Sequence, residues 1–166
     1  MDTSKQKFIS HFLFVGEQCG KAEEAITFYL SLFKNSRLLH IERWSEGEEK
    51  EEAAGTVKLA RFSLNGQEFQ AQDSGRQHAF TFTPALSIFV QCETEPEIDG
   101  LFQKLSEGGT VFMPLERYPF SEKFDWIADK YGVSWQLNLQ GKSRFRLVLW
   151  LLRETTSNET IIKLDR

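Results

Sequence analysis

Residues Ile9 to Phe33 read ISHFLFVGEQCGKAEEAITFYLSLF. The first seven form an apolar run of strand length. After Gly16 and Gly20, Ala22, Ala25, Ile26, Tyr29, Leu32 and Phe33 recur with the i, i+3, i+4, i+7 spacing of a helix that buries one face. Lys34 and Asn35 supply a C-terminal charge and a left-handed cap. The design returns at roughly 74 residues, a period that points to duplication. Ala85 to Leu105 reads ALSIFVQCETEPEIDGLFQKL, a strand followed by a helix whose stripe is Ile98, Leu101, Phe102 and Leu105. Thr94 and Glu97 have capping-box spacing, Pro96 lies in the first turn, and Gly108-Gly109 ends the helix.

Three strand-like segments follow each helix. In the first half they are about Arg37 to Trp44, Val57 to Leu64 and Gln67 to Asp73, the last two joined by the hairpin signal Asn65-Gly66. In the second they are about Thr110 to Pro114, Lys123 to Ala128 and Val133 to Leu139. The order strand, helix, strand, strand, strand therefore occurs twice, predicting an α+β domain over 1–140 with modules at about 8–75 and 84–140. Glu46 to Glu52 reads as a solvated loop, and Gln77 to Pro84 as the connector. Residues 141–166 form an extension whose Arg144 to Arg153 portion is rich in Leu, Val and Trp; it is expected to dock on the domain or on a neighbouring subunit.

Composition narrows the functional classes. A net charge of -4 with both signs interspersed offers no basic stripe for a phosphate backbone, so nucleic acid is not an expected partner. No segment reaches the roughly 18 to 20 apolar residues of a membrane span, and the polar opening Met1 to Lys7 lacks a signal-peptide pattern. Cys19 and Cys92 make no C-x-x-C pair and read as reduced thiols, which suits a cytoplasmic location. Fifteen Phe and four Trp exceed what a minimal core needs, so some aromatic surface is expected to line a pocket or an interface.

Motifs for common chemistries are missing. His11, His40 and His78 form no metal-binding pair on a helix, and neither a G-x-S-x-G elbow nor a Walker-type loop occurs. Gly16 and Gly20 have G-x-x-x-G spacing, better suited to a turn than to a dinucleotide site. Period-two alternation sorts the strands further. The aliphatic set Leu86, Ile88 and Val90 suits packing under a helix, leaving Ser87 and Phe89 for a concave side. By the repeat, Ser10, Phe12 and Phe14 face that side too. Gln70 and Gln72 share one face of the fourth strand, and Ser134, Gln136 and Asn138 share one face of the eighth. Phe walls with Ser and Gln hydrogen-bonding groups can hold a small, partly polar molecule; alternatively the amides satisfy one another across the sheet.

Four segments carry a family resemblance: Ala22-Glu23-Glu24-Ala25 through Phe28-Tyr29; Leu32 to Ser36; Phe62 to Gln67; and Asp129 to Gln136. Together they resemble the PhnB-like branch of the vicinal oxygen chelate superfamily, the glyoxalase/bleomycin-resistance fold, often labelled 3-demethylubiquinone 3-methyltransferase-like. The likeness runs from about residue 8 to 139. It implies two βαβββ modules forming a cupped mixed sheet, commonly in a homodimer. It also implies that metal-dependent relatives hold a divalent ion with one side chain from each of the first, fourth, fifth and eighth strands. Those positions transfer to Ser10, Gln70 or Gln72, Ala85 and Gln136, a set without a charged ligand. His11 lies one residue out of register and is expected to turn away.

The resulting expectation is a metal-independent, cofactor-free cytoplasmic protein, homodimeric as the resemblance implies, that binds a small organic molecule. Phe12, Phe14, Phe89 and Trp126 would give apolar contact, while Ser10, Gln70, Gln72, Ser87 and Gln136 would give polar contact. Asp73 and Asp125 are rim candidates for a general base. The alternatives are a glyoxalase- or dioxygenase-type enzyme, the methyltransferase of the family label, or an interaction surface.

Overall fold

The computed structural model describes residues 6–141, so the expectations for the Arg144 to Arg153 segment lie outside it. The elements are β1 (Ser10–Phe14), α1 (Ala22–Leu32), β2 (Arg37–Arg43), β3 (Val57–Leu64), β4 (Gln67–Asp73), β5 (Ser87–Cys92), α2 (Glu95–Ser106), β6 (Thr110–Tyr118), β7 (Ser121–Ala128) and β8 (Ser134–Leu139). The duplicated order is therefore present. Each module folds into its own four-stranded sheet, β1-β4-β3-β2 and β5-β8-β7-β6. The first and last strands of a module pair in parallel, and the other pairs are antiparallel. A module's helix is the crossover that this parallel pairing requires.

Local chemistry sets the element ends. Thr94 accepts a hydrogen bond from the Glu97 N–H at 3.3 Å, and the Glu97 carboxylate reaches back to the Glu93 N–H at 2.8 Å; together they close the start of α2. Lys21, at the start of α1, offers no side-chain cap. Its place is taken by Asp73 at the end of β4, whose Oδ1 accepts from the N–H groups of Gly20 (2.7 Å) and Ala22 (3.1 Å) while Oδ2 accepts from Val57 (2.8 Å). Asn65 and Gly66 both have positive φ, at 47° and 88°, the backbone that a tight two-residue hairpin demands. The expected stop of β6 at Pro114 does not occur. β6 is an edge strand with register shifts along its length, where a residue lacking an N–H is tolerated.

On the helix-facing side, Phe12, Phe14, Ala60, Phe62, Phe69 and Ala71 from the first sheet join Ile127, Trp135, Leu137 and Leu139 from the second in one buried cluster. α1 joins the modules. Tyr29 and Phe33 pack on Trp135 with ring centroids 5.2 and 5.7 Å apart. Beneath them lies the buried carboxylate of Asp129, whose Oδ2 accepts from the Tyr29 hydroxyl (2.7 Å) and the Trp135 indole N–H (2.9 Å). Its Oδ1 accepts from the backbone N–H groups of Tyr131 (2.9 Å) and Val133 (3.1 Å). Four bonds from a neighbouring helix, a strand and the turn between β7 and β8 thus converge on one side chain. Burial still raises the Asp129 pKa, against the pull of those donors.

Removing this acceptor leaves four buried donors unpaired. Asp129→Ala is expected to lose on the order of 4 kcal/mol in urea unfolding, and Tyr29→Phe about 1 kcal/mol. A loss below about 1 kcal/mol for Asp129→Ala would show that the bonds do not hold the modules together.

Candidate functional site

The helices cover one side of each sheet and leave the other side open, and strand register sorts residues between the two. On the second sheet Ser87 pairs with Ser134, Phe89 with Gln136 and Gln91 with Asn138, while Trp126 pairs with Gln136 and Phe124 with Asn138. These residues share the face without a helix, since their strand neighbours Trp135, Leu137 and Ile127 are in the core; on it Phe89 is exposed and Ser87, Trp126 and Gln136 are half-buried, while Phe124, Ser134 and Asn138 are buried. Ser87, Phe89, Trp126 and Gln136 therefore come together. A hydrogen-bond chain fixes them: the Ser87 and Ser134 hydroxyls are 2.7 Å apart, the Trp126 indole N–H donates to Ser134 at 2.9 Å, and the Gln136 amide donates to Ser87 at 3.2 Å. The mutual satisfaction of polar groups across the sheet is thus partly realised. Among the described residues, no donor reaches the Gln136 carbonyl oxygen.

Rings surround this chain. Phe112 lies 5.2 Å from Trp126, and Phe124 contacts Phe89, Tyr118 and Phe120 at 5.2 to 6.5 Å. Phe89, Phe112 and Phe120 remain 56%, 41% and 54% exposed. Apolar surface of that extent is unusual unless it is covered in function.

The first sheet departs from expectation. Phe12 pairs with Ala71 and Phe14 with Asp73, placing Ser10, Phe12 and Phe14 in the helix-facing register. Phe14 is fully buried and, like Phe12, packs against Phe82 of the connector. The open face carries His11, Leu13, Gln70 and Gln72 instead, with His11 Nδ1 3.4 Å from Gln70 Oε1. Setting Ser10, Phe12 and Phe14 opposite Ala85, Ser87 and Phe89 implies a shift of odd size, and a one-residue slip reverses every side chain in a strand. In the structure Phe12 lies in the buried cluster and Val90 packs against it, an even offset between the two strands. Ala85 precedes β5 altogether. Asp73 and Asp125 also turn inward. Asp73 caps α1, while Asp125 lies fully buried under α2, so neither is a base on an open face.

The residues do not fit a divalent ion. His11 is the imidazole brought to the open face of β1, and its neighbour on β4 is a neutral amide. Among the described residues, no group of three or more His, Cys, Asp or Glu side chains is arranged to hold a metal.

Residues 6–138 match the family model described as 3-demethylubiquinone-9 3-methyltransferase. A PhnB protein from Bacillus cereus, named after that methyltransferase, is 53% identical over 81% of this chain and 99% of its own, with a TM-score of 0.75. A protein from Pseudomonas aeruginosa is 22% identical over 81% and 98%, with a TM-score of 0.68. The fosfomycin resistance protein FosX from Listeria monocytogenes is 11% identical over 83% and 95%, with a TM-score of 0.56. The last two show the fold alone. Among curated proteins, none matches the chain.

Asp125 gives the molecule a pH response separate from any site. Neither carboxyl oxygen has a hydrogen-bond partner of ordinary geometry, and burial lifts its pKa from 3.8 to about 7, opposed only by the nearby backbone of Leu137. A folded-state pKa above the unfolded one means stability is fully present below about pH 4 and lost as pH rises through 7. Asp125→Asn is expected to remove that slope, gaining on the order of 3 kcal/mol over wild type between pH 4 and pH 8. Parallel stability curves for the two proteins would contradict the assignment.

Proposed function

The chain belongs to the 3-demethylubiquinone-9 3-methyltransferase family, the PhnB-like branch of the glyoxalase/bleomycin-resistance superfamily, and from that premise we propose that it binds a small, partly apolar organic molecule on its open sheet faces without a metal ion. The observation that carries this reading is the chain Trp126, Ser134, Ser87 and Gln136. It holds one indole face and one amide oxygen in fixed positions amid exposed rings. Pre-fixed polar groups among apolar walls are what a small-molecule site requires, and side chains already locked cost little entropy when a ligand arrives.

A second copy of the chain completes the enclosure, on this reading, and supplies cover for Phe89, Phe112 and Phe120. The free thiols Cys19 and Cys92 suit a reducing compartment, and no described helix is long and apolar enough to cross a membrane. Metal independence rests on the donor set, which lacks charged ligands. The methyl transfer named by the family would need a donor cofactor held against a nucleophile, and no residue on the open faces has been given that task. Turnover of a bound compound would move the protein from binding to catalysis.

Thermal stabilisation by a panel of aromatic acids, amides and quinones tests the reading. One class is expected to raise the melting temperature, and Trp126→Ala or Gln136→Leu to weaken its binding by about tenfold, roughly 1.4 kcal/mol. If both variants kept full affinity, the ligand would lie elsewhere. Tight stoichiometric uptake of Zn²⁺, Ni²⁺ or Mn²⁺ by wild type but not by His11→Ala would overturn the metal-independent reading.

A further inference from the structure

The hydrogen-bond chain on the second sheet has a direction, with its protons running from the buried end to the open one. The Trp126 indole N–H donates to Ser134 Oγ at 2.9 Å. Ser134 is 2% exposed, and among the described residues its own proton has one acceptor, Ser87 Oγ, 2.7 Å away. A hydroxyl proton left unpaired there would be desolvated at a cost, so Ser134 donates and Ser87 accepts. Ser87 accepts again from the Gln136 amide at 3.2 Å. Both lone pairs of the Ser87 oxygen are then filled, and its own proton is unspent. Ser87 and Gln136 are half-buried. Among the described residues, the Gln136 carbonyl oxygen has no donor and is not sealed from water. The outer end of the chain therefore presents one donor and one acceptor, both uncharged.

The surroundings disfavour an anion. Strand pairing sets Glu116 opposite Phe124, and Glu122 stands two residues before Phe124 on β7, so both carboxylates share the side of that ring. Lys123, between them in sequence, turns to α2 and pairs with Glu95 and Asp99 at 3.3 and 2.6 Å. We infer that this face recognises an uncharged carboxamide or lactam edge carried on a flat apolar ring. The ligand carbonyl accepts the Ser87 proton and the ligand N–H donates to the Gln136 carbonyl. Ser87 and Gln136 are already bonded to each other, which sets donor and acceptor side by side, as they are in a lactam. The rings are within reach of this pair: Phe89 follows Ser87 by two residues and pairs with Gln136, and Trp126 pairs with Gln136 from the other side. The inference rests on the open-face reading and names its ligand class. A Gln136 amide turned the other way would take the Ser87 proton and present N–H groups outward, which favours an anion, so ligand preference tells the two arrangements apart.

The test is an NMR titration of the full chain, following the Trp126 Nε1–H signal, with three probes. Isoindolinone carries the lactam edge, phthalide has the same shape with a ring oxygen in place of the N–H, and benzoate is the anion. Isoindolinone is expected to move the signal with Kd of about 1 mM, the scale for a fragment held by few contacts. Phthalide and benzoate are each expected to bind about tenfold more weakly, because each leaves the Gln136 carbonyl facing an acceptor. Gln136→Leu should bring isoindolinone down to the affinity of phthalide, and Ser87→Ala should weaken both. The comparison of probes on wild type needs no variant to fold. Equal binding of isoindolinone and phthalide would overturn the lactam assignment and leave the open-face reading standing. Tightest binding by benzoate would overturn it too, by showing the Gln136 N–H groups turned outward. If none of the three moved the Trp126 signal, both readings would fall.

Discussion

The structure depends on one carboxylate accepting four hydrogen bonds at the junction of two similar modules. Asp129 satisfies Tyr29 from the first module, and Trp135, Tyr131 and Val133 from the second. Without it the aromatic joint between α1 and the second sheet would bury a phenol and an indole N–H with no acceptor. Every aromatic packing contact from α1 to the second module lies on this helix side, through Tyr29, Phe28 and Phe33. The other side of each sheet is thereby left available. Fold and function are linked in this way: the joint uses one face of each module and frees the other for recognition.

The two freed faces have different chemistry. The second sheet offers rings and a short hydroxyl and amide chain, whereas the first offers imidazole, guanidinium and amide groups. The carboxylate that the first face does carry, Glu68, is paired with Arg61, and among the described residues no cluster of ligands for a divalent ion forms. The buried aspartates, Asp73, Asp125 and Asp129, all point inward, and for each of them burial raises the pKa. Two of the three accept several backbone or ring N–H bonds; Asp125 does not, and its burial is expected to cost stability as pH rises.

The duplicated modules, their strand order and the tight Asn65-Gly66 turn were legible because periodicity and turn chemistry are local signals. The N-terminus of α2 was legible for the same reason, with Thr94, Pro96 and Glu97 lying within four residues. The cap of α1 was not, since its acceptor, Asp73, arrives from a distant strand. The facing of β5 followed from the alternation of Ile88 and Val90, which pack against the core; Leu86, expected with them, lies ahead of the strand and is 79% exposed. That of β1 did not, because Phe12, Leu13 and Phe14 are all apolar and alternation carries no information in a run apolar on both faces. The repeat was then used to choose, and an offset wrong by an odd number sent Ser10, Phe12 and Phe14 to the wrong side and hid His11.

The central claim is that the two faces not covered by helices recognise an organic ligand. A crystal structure of protein purified directly from cells tests it most directly. The account predicts electron density for an organic molecule against Trp126 and Gln136. Side chains of the same chain filling that space, or an ion bound between His11 and Gln70, would contradict it.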